Sequence, residues 1–287
     1  MVPAYMSRLR DGVEIKIVRF PSRDETAASM LDAFERAMTP RTKLLLLSHV
    51  SSNRGTRLPM REICAMAHAR GALVAVDAAQ SAGHIAFDVR EMGCDFLALP
   101  GHKWLLGPDG AAALYVRRDL IERLQPLAVV HGASRRYDFD GNFEYANGTI
   151  RKFELTTHSG PVLAGLATSL DVIAEAGMPA VEARCMALAD RFVAGLCAIE
   201  GVRITTPLDA SVRSAMVTFT VRDHNPHETV AALYGIDRIV GRVCNDKRLR
   251  VCFHIFNNES DVDRTLSAVE RVALHGIPSG TPSALEW

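Results

Sequence analysis

The sequence has no excess of charge of either sign. Its 33 Lys and Arg residues balance 33 Asp and Glu residues. A chain with no surplus positive charge has little to set against a phosphate backbone, so a nucleic-acid partner is not expected. Long hydrophobic runs are lacking too. The longest fall far short of the roughly 20 residues that span a bilayer, so no membrane partner is expected. The first residues, MVPAYMSRLRDG, meet charge by Arg8 and contain no apolar core, unlike a signal peptide. Cysteine is sparse: Cys64, Cys94, Cys185, Cys197, Cys244 and Cys252, with no C-x-x-C pair. That spacing supports neither a zinc knuckle nor a dithiol redox site. Six cysteines in 287 residues do not make a disulfide framework. They read as free thiols, mostly buried as small hydrophobes, in a reducing compartment, which points to the cytoplasm. No G-x-G-x-x-G follows a strand-like run, which removes a dinucleotide reading. The histidines other than His102 show no metal-ligand spacing, and most read as surface or packing residues. In LAVVHGASRR, His131 is a candidate for lining a substrate entrance, and the Arg135-Arg136 pair reads as a solvated loop or, alternatively, a carboxylate contact.

What is present is ordinary for a globular chain: 48% hydrophobic and 23% charged residues, enough for one or two domains with real cores. The first 120 residues alternate short Val/Leu/Ile runs with stretches of helical periodicity. Strands are expected at 13–18, 43–48, 72–76, 95–99 and 112–116, and helices at 24–38 and 59–70. KLLLLS at 43–48 reads as a fully buried strand. This order predicts βαβ units and a mainly parallel sheet with helices on both faces. Beyond residue 160 two long helices are expected at 161–177 and 178–200. Strands at 202–206, 215–221, 238–243 and 249–254 and helices at 226–234 and 259–275 follow, as a smaller α+β domain. The expected division is therefore 1–160 and 161–287.

Chemistry concentrates between Val74 and Tyr115, in VAVDAAQSAGHIAFDVREMGCDFLALPGHKWLLGPDGAAALY. Ligands of open α/β sheets sit at the carboxyl ends of the strands. Asp77 closes one strand, Gln80 follows three residues later, and His102-Lys103 follows the next strand. A carboxylate, an amide and a lysine at one sheet edge suit pyridoxal phosphate chemistry. That chemistry needs a lysine for a Schiff base, a carboxylate for the ring nitrogen, a donor to the phenolic oxygen and a group for the phosphate. Lys103, Asp77, Gln80 and His102 match these needs in turn.

VAVDAAQSAGH, GCDF, GHKWLLGPDG, LYVRRDL, RKFEL with Thr156-Thr157, AGLATSLD and RVCFHIFNNESDVD together resemble the class V aminotransferase family of fold-type-I pyridoxal phosphate enzymes. That family includes cysteine desulfurases, selenocysteine lyase and isopenicillin N epimerase-like enzymes. The resemblance implies a pyridoxal 5'-phosphate cofactor, an amino-acid substrate and a homodimer with sites at its two-fold interface. It implies that Lys103 forms the Schiff base and later moves the α-proton. Asp77 pairs with the pyridinium nitrogen, Gln80 bonds the phenolate oxygen, and His102 reaches the phosphate. Arg250 grips the substrate carboxylate. Thr157 reaches the phosphate held by the neighbouring subunit, although Thr156 stands where the family has Gly. Pro100 stands where the family often has a phosphate-binding hydroxyl, and the cofactor-proximal residue of HVSSNRGT is Ser52 or Asn53.

The family also has a segment before the stretch that MVPAYMSRLRDGVEIKIV resembles, bearing phosphate ligands and a group that stacks on the pyridine ring. The chain is therefore expected to be N-terminally truncated, with weak cofactor affinity and exposed apolar surface. Lyase, epimerase and transaminase chemistry all fit these residues. Cysteine desulfuration additionally needs a mobile thiolate. Cys244 is the candidate, in a loop beside Arg242, Lys247 and Arg248, whereas Cys252 reads as core. A further alternative is a catalytically weak homologue acting only as a structural partner.

Overall fold

A computed structural model describes residues 2–20, 25–128, 133–154 and 158–282. Helices α1 (Val2–Asp11) and α2 (Ala27–Ala37) come first. Thr26 and Ser29 close α2 with a reciprocal capping box, and Met30 and Phe34, one turn apart, bury its apolar stripe. Strand β1 (Leu44–Ser48), helix α3 (Met60–Ala69) and strand β2 (Leu73–Asp77) form a parallel crossover unit. A short helix α4 (Val89–Met92), capped by Asp88, leads to β3 (Phe96–Pro100) and then β4 (Ala112–Val116). The sheet order is β1-β2-β3-β4, with β4 antiparallel to β3.

The register divides this sheet into two unlike faces. Leu45, Leu47, Val74, Val76 and Leu97 are buried in one core with residues of α2 and α3. Leu44 and Leu46 are aligned with Leu73 and Ala75, and Asp77, Ala98 and Leu114 continue the same face. There Leu44, Leu46 and Leu114 are 50%, 52% and 47% exposed. The fully buried strand expected from KLLLLS is thus half-buried: its side chains alternate because helices cover only one side of it. Val13–Val18, expected as a strand, is not one. A strand needs a ladder partner for its N–H and C=O groups, and no strand pairs with it among the described residues.

After β4 comes a hairpin of β5 (Ser134–Tyr137) and β6 (Phe143–Tyr145). Arg135 pairs with Glu144 inside it at 2.8 Å. Lys152 is fully buried behind the hairpin, and its Nζ donates to the carbonyls of Ile121, Leu124 and Asn147. Helices α5 (Gly160–Ala176) and α6 (Met178–Ala198) meet at an 81° bend, where Gly177 has φ +78°. No single helix among the described residues is long and apolar enough to cross a membrane.

Strands β7 (Val202–Ile204) and β8 (Met216–Val221), helix α7 (Pro226–Asp237), strands β9 (Arg242–Cys244) and β10 (Arg248–Cys252) and helix α8 (Glu259–His275) complete the chain. Their sheet, ordered β7-β8-β10-β9, is antiparallel throughout. The strand expected at 238–243 begins only at Arg242. Arg238 takes left-handed φ as the C-cap of α7, so the chain turns there instead of extending. Phe192 of α6 sits edge-on against Phe219 and Phe253, tying helix to sheet. The loop after β1 docks on this second sheet. Ser214 Oγ donates to the Gly55 carbonyl at 2.8 Å, and a Cβ at Gly55 would collide with the Met216 carbonyl.

Candidate active site

β2 and β3 run side by side, β3 continuing two residues past the end of β2, which sets the site's position. Asp77 is the last residue of β2 and is paired in register with Ala98. Its side chain is exposed, and its Oδ1 accepts from the Ala79 N–H at 2.9 Å. A cavity of about 400 Å³ opens beside it, floored by Ala98, Pro100, Ala112 and Leu114. Ala98, Pro100 and Ala112 are compact side chains, and Leu114 stands 47% exposed beside them.

β3 continues into a tight loop. Gly101 N–H donates to the Ala111 carbonyl, and Gly107 N–H donates back to Gly101. The loop holds His102 and Lys103 exposed at its outer side. The Lys103 ammonium has no hydrogen-bond or ion-pair partner among the described residues. His102 Nδ1 lies 3.7 Å from an Asp109 carboxylate oxygen. Gln80, in the turn after β2, is half-buried, and its Oε1 accepts from the Trp104 indole N–H at 3.0 Å. Asp77 and Gln80 thus lie at and just after the end of β2, and His102 and Lys103 lie in the loop after β3, the two segments linked by the Gln80–Trp104 hydrogen bond.

Arg250 approaches from the second sheet. Its Nη1 donates to the Ser52 carbonyl in the loop after β1, while its buried Nε has no partner. Cys244 Sγ donates to the same carbonyl at 3.6 Å. Cys244 is buried at the end of β9 and is not the loop residue expected. Cys252, expected in the core, is exposed. The period-two alternation of β10 buries Leu249 and Val251 and turns Cys252 to the side of Arg250. Of Ser52 and Asn53, it is the Ser52 carbonyl that meets Arg250. Thr157 and His131 lie outside the described residues.

Behind the lysine loop lies a group that the sequence reading treated as packing. The His84 ring stacks on Trp104 at 3.8 Å, and His254 Nε2 donates to the Trp104 carbonyl at 2.9 Å. Burial holds His84 and His49 neutral, pushing both down to about 3. It also lowers His254 from its ordinary value. A tryptophan directly after the lysine, in a chain with only two tryptophans, was the available signal for this group.

The donor set suits pyridoxal phosphate at its ring end. It offers a free amine, an accessible carboxylate, an amide and an apolar floor. The phosphate end is thinner, with His102 present and Pro100 in place of a hydroxyl.

Comparison with known proteins follows the same line. The family model described as Aminotransferase class-V matches residues 1–265. A probable cysteine desulfurase of Halalkalibacterium halodurans is 31% identical over 256 residues, covering 84% of this chain and 61% of its own length. The isopenicillin N epimerase of Streptomyces clavuligerus is 30% identical over 279 residues, covering 91% and 68%. The apo cysteine desulfurase of Thermococcus onnurineus superposes with a TM-score of 0.87 at 26% identity, covering 96% of this chain and 70% of that one. A cystine C–S lyase variant with glycine covalently linked to its pyridoxal phosphate cofactor superposes at 0.77 and 26% identity, covering 88% and 66%. The chain spans about three-fifths of the length of the first of these relatives.

Proposed function

Because the chain belongs to the class V aminotransferase family, we propose that it serves a pyridoxal phosphate-dependent reaction on an amino acid, with Lys103 as the cofactor-bearing residue. One observation carries this reading. Asp77 closes β2 beside an apolar hollow, Gln80 follows three residues on, and Gln80 is hydrogen-bonded to Trp104, the neighbour of Lys103, whose ammonium has no partner among the described residues. Pyridoxal phosphate supplies an aldehyde for an amine and a ring that draws electrons from the substrate's α-carbon.

The chain's residues divide the work. Lys103 offers the amine and, once displaced by substrate, takes and returns the α-proton. Asp77 keeps the ring nitrogen protonated, and Gln80 donates to the phenolic oxygen. His102 faces the phosphate, and Thr157 reaches the phosphate of a neighbouring subunit in a homodimer. Arg250 holds the substrate carboxylate, for which a guanidinium provides a two-pronged donor. The division into a cofactor-binding part, 1–160, and a smaller part, 161–287, and a cytoplasmic location belong to the same proposal.

A second, narrower reading is cysteine desulfuration with Cys244 accepting the sulfur. It is favoured by one geometric fact: the Cys244 thiol and the Arg250 guanidinium share the Ser52 carbonyl, which brings a sulfur beside the carboxylate grip. Buried as it is, Cys244 would have to swing outward to act.

Absorbance during titration with pyridoxal phosphate, followed by borohydride reduction and peptide mapping, tests the first reading. The expected result is label on Lys103 and none on a Lys103→Ala variant. Label elsewhere, or none, overturns it. Cysteine turnover to alanine with the sulfur left as a persulfide on Cys244, released as sulfide only on adding a thiol reductant such as dithiothreitol, and lost in Cys244→Ser, supports the second reading. Turnover of other amino acids unaffected by that change overturns it.

A further inference from the structure

Trp104 belongs to the lysine loop and is hydrogen-bonded to Gln80. An indole N–H is a donor only, so the Gln80 atom facing it at 3.0 Å must be the amide oxygen. This fixes an orientation that side-chain amides otherwise leave open. It turns the Gln80 Nε2, with its two hydrogens, away from Trp104. A glutamine in the reverse orientation would present a carbonyl oxygen where the proposed ligand has its anionic oxygen.

Trp104 is itself held on three sides. Its ring stacks on buried His84, both of whose nitrogens have no hydrogen-bond partner. Its carbonyl accepts from His254 Nε2 at 2.9 Å. The His254 proton is assigned to Nε2 because Nδ1 accepts from the Ile255 N–H at 2.8 Å. Finally, Gly83 lies so close that any Cβ would collide with the Trp104 carbonyl. His254 follows Arg250 by four residues, so this clamp joins the substrate-side strand to the lysine loop.

We infer that Trp104 is a positioning residue: its indole N–H locks the Gln80 amide so that Nε2 donates to the bound cofactor's ring oxygen. The ligand in this statement rests on the function proposed above, whereas the amide orientation does not.

The test reads both parts. The chain has two tryptophans, so the Trp104 indole resonance of the ligand-free, ¹⁵N-labelled protein is assigned by its loss in Trp104→Phe. That resonance should move in Gln80→Ala and stay in Gln80→Glu, which keeps an acceptor. Equilibrium dialysis with pyridoxal phosphate should show Gln80→Ala, Gln80→Glu and Trp104→Phe each weaker by about tenfold, the worth of one hydrogen bond. The double variant, Gln80→Ala with Trp104→Phe, should bind no worse than Gln80→Ala alone, because the two act through one group. An indole resonance indifferent to Gln80→Ala overturns the inference. So does wild-type affinity in Trp104→Phe, or full multiplication of the two losses. If Trp104→Phe fails to fold, the Gln80 pair decides: Gln80→Glu must keep the resonance and lose affinity. A wild-type chain with the resonance shift but no uptake of pyridoxal phosphate overturns the proposed cofactor and leaves the amide orientation standing.

Discussion

Arg250 Nη1 donates to the Ser52 carbonyl at 2.9 Å, across 198 residues of chain. One strand of the second sheet is thereby fixed to the loop that leaves β1 of the first. A guanidinium carries five N–H donors. Spending one on Ser52 aims the group and leaves others for a carboxylate.

Replacing Arg250 should therefore injure substrate binding more than cofactor binding. In Arg250→Ala we expect KM for the amino acid to rise about 10- to 100-fold, the range of a charged hydrogen bond. Arg250→Lys should recover only part of it, because an ammonium lacks the planar fork. Steady-state kinetics beside a cofactor titration measure this. A loss of cofactor affinity with unchanged KM would contradict the placement.

Gly83→Ala is expected to be disproportionately harmful. Gly83 has φ +105°, a conformation side chains rarely adopt, and the new Cβ would meet the Trp104 carbonyl. We expect a loss of roughly 2 kcal/mol or more in denaturant unfolding, with strain and collision added together. A drop in cofactor affinity should accompany it. The same change at Gly12, also at positive φ but with open space around it, should cost less.

Acid should destabilise the fold through two buried imidazoles. His49 and His84 have folded values of about 3 against 6.5 unfolded. The unfolded chain thus binds protons that the folded chain refuses. Their contribution is complete above pH ~6.5 and is lost as pH falls toward 3. At pH ~5 each ring should cost about 2 kcal/mol relative to neutral pH. Urea unfolding from neutral pH to pH ~5 measures the slope. His84→Phe, which keeps an aromatic ring beside Trp104, should flatten it by about half. An unchanged slope would place the titration elsewhere.

The sequence made the crossover units readable because apolar runs and helical periodicity are local. β4 and α8 fall at the residues expected. Asp77, Gln80 and Lys103 could be proposed from sequence for a related reason: Asp77 closes β2, Gln80 follows it, and Lys103 follows β3, so chain order alone suggests a common end of the sheet. What escaped depended on pairing and parity. Val13–Val18 has strand composition but no ladder among the described residues, Cys252 is turned outward by the alternation along β10, and Cys244 is buried at the end of β9. His254 and Trp104 meet across 150 residues, a contact that no local pattern encodes.

Asp95 is the firmest single anchor of the first sheet. It is completely buried and accepts from the Val74 N–H at 2.6 Å, His68 Nε2 at 2.9 Å and Arg117 Nη1. It thus links β2, α3 and the residue after β4. In Asp95→Ala the Val74 N–H would be left buried without a partner. Arg117 and His68, each about one-third exposed, can turn partly to solvent. We expect a loss of about 2–4 kcal/mol, near the lower end for a broken buried ion pair. A loss below about 0.5 kcal/mol would mean that the network is ornamental.

The open sheet face predicts how a chain of these 287 residues behaves in solution. Leu44, Leu46 and Leu114 stand on the face lined by Ala75 and Ala98, and among the described residues β1 and β4 each have one edge without a strand partner. An apolar face beside unpaired edges favours association. Light scattering coupled to size exclusion should show mass rising with protein concentration. Leu46→Lys should shift the distribution toward the monomer. It should change unfolding free energy by less than about 0.5 kcal/mol, since the replaced side chain is half exposed and leaves no cavity. If Leu46→Lys instead unfolds the chain, Leu46 packs against something in solution. If mass stays monomeric for the unaltered chain at about 100 μM, the face is not adhesive and the exposed leucines are tolerated singly.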